Sequence, residues 1–503
     1  MSVNVRIAQR ILYSAILVVA LIYTIVPLWG PQADMWETIA AMDAISESPL
    51  DPRNPLLDLP GETSPRFTPY TVLWGIVERL FDLPLFTTAA LASLVNALLF
   101  FTGLHRVIRT ITPDPRAPLW IIPVMLVGWG RGWGEANGYQ FEQFFATMSY
   151  AGTFTYGLCF HGLAELNRYL SSGSRRGLGL YIVLGVLAFW SHPITALLLF
   201  AMGFAWSFAR APFKTAVLLQ AAPFAALAAC WLWPYFDYPT VLFRGSTEAW
   251  YRVRLFDGQL LRIGPVILGI FVATYYALRR RYNEVTLALL LALAIYLFSW
   301  ALDIQIGSRF VFYGAIFAHI CIGLFLMERF SDLRLGSILE RGVVLFVLGA
   351  VFMAGGYYRV KKLDRDWQPV VEHYQSTGGD ILEPWEDIRF LRDYLNDNSV
   401  VMVEDTVGWR IPAVTQARLV AQAKGNPLMA AEVAQRRADV VQFFSGPATT
   451  DERRELIVKY HCTHVLVDSR NLQRADAALD HDLALLTEPL TAAPPYRLLR
   501  VKP

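Results

Sequence analysis

Residues 11–29 read ILYSAILVVALIYTIVPLW, and Pro31-Gln32-Ala33-Asp34-Met35-Trp36-Glu37 follows almost directly. The first segment carries no charge and is long enough to cross a hydrocarbon core, which takes about 20 residues of helix. It lacks a small-residue cleavage site, so a retained first span is expected rather than a signal peptide. The second segment puts an acid a few residues beyond the end of that span.

Similar apolar runs recur along the chain. With every backbone amide in lipid needing a partner in its own segment, they read as helices. About eleven are expected, near 9–29, 84–104, 117–130, 140–166, 178–191, 193–209, 215–235, 261–278, 284–302, 309–327 and 340–358. The chain has 503 residues, of which 55% are hydrophobic and 17% charged. Soluble chains carry about 25% charge. The deficit is confined to residues 1–360, and residues 361–503 read as a soluble domain. A net charge of +2 gives no reason to expect a nucleic-acid partner. Of the four cysteines, three lie in apolar blocks and Cys462 stands alone in the tail, which is not a disulfide framework.

Loop charges fix an expected orientation. With Arg6 and Arg10 in the cytoplasm, the loops on that side hold Arg106, Arg109 and Arg116, then Arg168, Arg175 and Arg176, and later Arg279, Arg280 and Arg281. The opposite short loops hold little beyond Arg131 and Arg309. This is the positive-inside asymmetry, and an odd span count puts the tail outside the cytoplasm. Two outward loops are long, 30–83 and 236–260, and length of that kind marks functional loops.

In the first long loop, Met35, Ile39, Met42 and Ile45 recur at helical spacing, so Ala33 to Glu47 reads as an amphipathic interfacial helix with Asp34 and Glu37 on one face. Pro49 to Pro69 is a connector. Tyr70 to Phe81 reads as a second interfacial helix, with Trp74 at headgroup level. In the tail, 384–396, 428–444 and 451–460 read as helices. Residues 399–404, 418–421, 463–468 and 496–501 read as strands, giving a small α/β domain with a mainly parallel sheet.

This order of features resembles the GT-C superfamily of membrane glycosyltransferases: a first span, a long outward loop with two juxtamembrane helices and an acid near its start, and a second long loop after the seventh span. The resemblance covers roughly residues 9–280. Pro65-Arg66-Phe67-Thr68-Pro69-Tyr70 is similar to segments of bacterial members. Gly408-Trp409-Arg410, Arg436-Arg437-Ala438-Asp439, Phe443-Phe444-Ser445-Gly446 and Glu452-Arg453-Arg454-Glu455 look like the outer domain of bacterial GT-C-like proteins.

The resemblance implies a multi-pass protein of the bacterial inner membrane. Such a protein moves a sugar from a polyprenyl-phosphate donor to an extracytoplasmic glycan, lipid or protein. Asp34 would be the catalytic base, since an acceptor hydroxyl must lose its proton. Glu37, Asp43 and His192 would support it or bind the acceptor. One base without a covalent intermediate suits an inverting transfer. The leaving phosphate calls for arginines, whose planar fork holds two oxygens. Arg131, Arg244 and Arg309 are the candidates. His192 could equally cap the tight turn Trp190-Ser191-His192-Pro193. Glu135, Glu142 and Gln143 are further hydroxyl partners. Gly128-Trp129-Gly130-Arg131-Gly132-Trp133-Gly134 is either a substrate-lining loop or an aromatic belt with a flexible turn.

The tail has no nucleotide fingerprint, no Ser/His/Asp motif and no metal cluster. A divalent cation, Mg or Mn, is left open as a cofactor. The tail itself reads as a non-catalytic acceptor-binding or partner-docking domain. Two other readings compete with a transferase: a transporter or flippase, against which stand the lack of an internal repeat and the few charges within spans, and a non-catalytic scaffold on the same fold.

Overall fold

The computed structural model describes residues 3–24, 33–59, 63–132, 138–244, 255–331, 386–404, 408–422, 430–445, 447–469 and 477–503, with isolated positions between 342 and 375. Most of the expected span at 340–358 lies outside them. The chain folds as two compact units, neither continuous in sequence. One comprises Met1–Gly30, Ala90–Cys230 and Val253–Gly379. The other comprises Pro31–Ala89, Trp231–Arg252 and Asp380–Pro503. Residues 31–83 of the first long loop and 236–252 of the second therefore share a unit with the tail.

The first unit is helical and polytopic. Among the described residues, seven helices are long and apolar enough to cross a membrane: Val3–Tyr23, Leu85–Ile111, Pro193–Arg210, Phe213–Leu232, Gln259–Leu278, Asn283–Ala301 and Gln305–Phe330. Shorter apolar helices fall where further spans were expected, at Ala117–Val127 and Arg175–Ser191. The expected span 140–166 is two pieces, Phe141–Ala146 and Ala151–Ser172.

The last of the seven is the centre of this unit. Phe310–Ser331 is buried along nearly its whole length. It packs against Ala117–Val127, Leu268–Leu278 and Asn283–Ala301. Gly323 permits one of these crossings, since a Cβ there would lie 2.7 Å from the Ile121 Cα. Small residues at such crossings let membrane helices touch through their backbones.

Two ion pairs lie inside this unit, where low dielectric favours pairing. Arg210 pairs with Glu284, and Arg106 with Glu165. His161 lies 2.8 Å from Arg106 through Nδ1 and 3.2 Å from the Thr102 hydroxyl through Nε2.

In the second unit, Ala33–Glu47 forms one helix, as its spacing predicts. It is not a half-exposed interfacial helix. Met35, Trp36, Ile39, Ala40, Ala41, Met42 and Ile45 are all buried. One side packs on the Pro69–Phe81 helix and another on Ile411–Thr415. Ala41 and Ala44 pack with Ile45 against Phe67, Val72 and Tyr235, small residues that a search for large apolar residues passes over. On Pro69–Phe81, Gly75 allows contact: a Cβ there would meet the Met42 carbonyl at 2.5 Å.

Pro69–Phe81 starts at Thr68 with Pro at the first helical position. Trp74 faces inward, not toward headgroups. Leu73, Ile76, Leu80 and Phe81 form the exposed apolar side instead.

The tail holds a five-stranded sheet in the order β2-β1-β3-β5-β4. The strands are β1 Val400–Met402, β2 Arg418–Leu419, β3 His464–Asp468, β4 Thr487–Ala493 and β5 Tyr496–Val501. β1 runs parallel to β2 and β3, whereas β5 is antiparallel to β3 and β4. The expected mainly parallel sheet is thus mixed. Its antiparallel half is a C-terminal hairpin whose first strand is largely solvent-facing and lacks an apolar run.

Helices Ala430–Phe444, Thr450–Lys459 and Ala477–Leu486 cover the sheet through Phe443, Leu456, Val465, Leu483 and Leu499. Thr450–Lys459 begins with a reciprocal Thr449–Glu452 capping box. The residues expected as a helix over 384–396 form only a short α turn, Glu386–Arg389, continued as 3-10. The free edge of β2 is covered by the first loop. Leu419 donates its amide to the Leu56 carbonyl at 2.9 Å, and Asp58 donates to Leu419 at 3.2 Å. An unpaired edge would invite pairing with another chain.

Candidate functional site

Asp34 and Glu37 occupy the first turn of Ala33–Glu47, where the helix dipole favours carboxylates. The Thr38 hydroxyl donates to the Asp34 carbonyl at 2.7 Å. Across from this turn stands Arg66. Its guanidinium is ion-paired with Glu37 and lies 3.7 Å from the Asp34 carboxylate. Exposure separates the two acids: 38% of the Asp34 side chain is accessible against 1% of Glu37. Asp34 can therefore meet a ligand, whereas Glu37 holds the arginine.

Arg66 is fixed by its neighbours in the SPRFTPY stretch. The Thr71 hydroxyl donates to the Arg66 carbonyl at 2.6 Å. Trp233, from the Trp231–Arg252 segment, donates its indole N–H to the Phe67 carbonyl at 2.9 Å. From the tail, Gln422 donates to the other Glu37 oxygen at 3.4 Å. All three parts of the unit converge on one acid–arginine cluster. The sequence shows Arg66 in the Pro65–Tyr70 stretch of the first long loop but not this pairing. The available signal was Pro65 and Pro69, which stiffen the segment around Arg66.

Asp43 is nine positions after Asp34, about half a helical turn out of phase, so it points away from the cluster. It lines a polar cavity of ≈ 360 Å³ with Glu47, Arg53, Asp397, Gln416 and Arg418. Burial pushes its carboxyl up to about 6, opposed by a Gln416 hydrogen bond, reinforced by Glu47 and opposed again by Arg392. Glu78 stands nearby on Pro69–Phe81; burial, then Asp43 and Glu47, raise it to about 8.

Arg131, His192 and Arg309 belong to the helical unit. His192 caps Pro193–Arg210: its Nδ1 accepts from the Thr195 amide at 3.3 Å and lies 2.8 Å from the Thr195 hydroxyl. Arg309 ends the 3-10 turn Gln305–Arg309. Arg244 ends the Tyr238–Arg244 helix, and its side chain lies outside the described residues.

In the Gly128–Gly132 segment, Gly130, Arg131 and Gly132 donate their amides to the carbonyls of Ile263, Leu261 and Arg262. A Cβ at Gly130 would sit 2.1 Å from the Leu261 carbonyl. Trp129 is fully buried and meets Tyr139 and His319 edge-on. These glycines and this tryptophan serve packing, and only Arg131 is exposed. Trp133, Gly134 and Glu135 lie outside the described residues. Gln143 is buried, and Glu142 is buried and ion-paired with Arg359, which also donates to the Gly130 carbonyl at 3.0 Å.

Among the described residues, no three His, Cys, Asp or Glu side chains group as metal ligands. The guanidinium already set against both acids fits Asp34 and Glu37 better than Mg or Mn would.

The chain thus has one unit of long apolar helices and, in the other, an acid–arginine cluster at the head of Ala33–Glu47. Comparison with solved structures identifies its fold as GT-C. The arabinofuranosyltransferase AftD from Mycobacteria matches in two structures. The R1389S mutant (class 2) gives a TM-score of 0.60 at 14% identity, covering 98% of this chain and 42% of that one. The other gives 0.52 at 13%, covering 94% and 40%. The chain therefore spans about two fifths of AftD. The apo oligosaccharyltransferase of Archaeoglobus fulgidus matches at a TM-score of 0.49 and 15% identity, covering 94% of this chain and 72% of that one. No family model matches the sequence, and no curated protein does either.

Proposed function

We propose that the chain is a membrane glycosyltransferase, taking a sugar from a polyprenyl-phosphate donor and passing it to an extracytoplasmic acceptor with inversion. The observation that carries this is the accessible Asp34 held beside Arg66 and Glu37 on a GT-C fold. In the reaction, the Asp34 carboxylate takes the proton of an acceptor hydroxyl. The freed oxygen attacks the anomeric carbon from the face opposite the phosphate. The carbon–oxygen bond to phosphate breaks, and the polyprenyl phosphate leaves with the electron pair. Arg66 orients the base and offers a cation to the polar reactants.

Arg131, Arg244 and Arg309 are assigned to the donor phosphate. His192 orients the helix it caps. The cavity lined by Asp43, with its amide, carboxylates and guanidiniums, supports a polyhydroxylated acceptor. The loop charges support a cytoplasmic N-terminus, with the tail outside a bacterial inner membrane.

The test is reconstitution of the full chain with a polyprenyl-phosphate sugar and a glycan acceptor. Release of polyprenyl phosphate with an inverted glycosidic bond is expected. Movement of the intact lipid-linked sugar across the bilayer without bond cleavage would instead establish a flippase.

A further inference from the structure

The first span and the Leu85–Ile111 helix leave a cleft of ≈ 510 Å³ between them, within the helical unit. Its lining changes character from end to end. Arg6, Gln9, Arg10 and Tyr13 form one end. Ile16, Leu17 and Ala20, facing Leu94, Ala97 and Leu98, form the other. The polar end is a built structure. Gln9 donates to the Pro115 carbonyl at 2.6 Å, and the Tyr13 hydroxyl lies 2.6 Å from His105 Nδ1. These bonds pin the first span to its neighbours there, while Ala20 and Ala97 leave the space open further along.

From Arg6 to Ala20 the helix rises about 21 Å, the depth of one leaflet with its headgroups, roughly 20–22 Å. Arg6 and Arg10 are exposed, four residues apart and so on one helix face. Two guanidiniums in that relation can grip a single phosphate from two sides. Gln9, whose Nε2 donates to Pro115, keeps its Oε1 as an acceptor for a headgroup hydroxyl.

We propose that this cleft binds one anionic glycerophospholipid from the leaflet that faces Arg6 and Arg10. The phosphate lies between the two arginines, a glycerol hydroxyl meets Gln9, and one acyl chain runs along Ile16, Leu17, Leu94 and Leu98. Charge favours an anionic over a zwitterionic headgroup, because Arg6 and Arg10 both line the polar end. The glycerol hydroxyl selects a phospholipid over a polyprenyl phosphate. The site stands independently of glycosyl transfer.

Delipidated full-length protein in detergent, titrated with phosphatidylglycerol and read by native mass spectrometry, should retain one such lipid in preference to phosphatidylcholine. Arg6→Gln with Arg10→Gln should weaken retention roughly tenfold or more. Ser14→Trp, exposed on the cleft wall, should block the chain path with both arginines kept. Lipid-free unfolding temperatures of the variants should match wild type. Equal retention of phosphatidylcholine overturns the proposal, as does undiminished binding by Ser14→Trp. A polyprenyl phosphate displacing phosphatidylglycerol at equal concentration overturns it as well, since the cleft would then serve another lipid.

Discussion

Arg66 sets its guanidinium 3.7 Å from the Asp34 carboxylate while ion-paired with the buried Glu37. Glu37 thus acts on Asp34 only through the arginine. Glu37→Gln should lower kcat more than it raises KM, with a loss of about 10- to 100-fold, because a misplaced catalytic group costs on that scale. Glu37→Ala should also destabilise the fold by about 3–5 kcal/mol, the cost of leaving one partner of a buried pair uncompensated. Steady-state kinetics and denaturant unfolding of the two variants separate these effects.

Arg66→Lys keeps the charge but replaces the rigid guanidinium, whose Nη2 faces both carboxylates, with a flexible ammonium. It should retain stability better than Arg66→Gln while losing most of the activity. A lysine variant with wild-type turnover would mean that charge alone suffices.

Asp43 and Glu78 make stability pH-dependent. Both carboxyls are raised by burial in the folded state, Asp43 to about 6 and Glu78 to about 8. The folded chain therefore binds more protons than the unfolded chain between about pH 4 and pH 8. Stability is highest below pH 4 as far as these two groups go, and it falls as pH rises through each folded value. Glu78→Gln should flatten the fall and raise stability at pH 8 by about 1–3 kcal/mol. Unfolding midpoints at pH 5 and pH 8 for the full chain check this; a midpoint equally sensitive in Glu78→Gln contradicts it.

Arg453 is the anchor of the tail. It is fully buried and paired with Asp482, and it donates to the Phe443 carbonyl at 2.9 Å and the Ser445 carbonyl at 2.6 Å. Arg453→Ala should cost about 3–5 kcal/mol by stranding Asp482 and those carbonyls. Limited proteolysis of the full chain should show faster cleavage between 430 and 486, with the helical unit intact.

Much of this fold is legible in the sequence, for identifiable reasons. The apolar runs announce helices because lipid permits little else. Ala33–Glu47 and Thr450–Lys459 show themselves by spacing and by a capping box. What escapes is contact between distant segments. The burial of the alanines of Ala33–Glu47, the strand-like pairing of Leu57 with Leu419 and the inward turn of Trp74 are set by tertiary neighbours, not by local pattern. Asp34 could be singled out by its place after a span. Arg66, 32 positions later, could not be joined to it without a structure, and Asp43 looked close only because sequence distance ignores helical phase.

The central claim is that the Asp34 carboxylate takes the acceptor proton. Its partial exposure means that Asp34→Asn should fold normally. Turnover of a polyprenyl-phosphate sugar by Asp34→Asn, measured beside wild type at matched unfolding temperature, tests this most directly. A fall of 10²-fold or more, on the scale of general base catalysis, is predicted. Turnover equal to wild type would contradict the account.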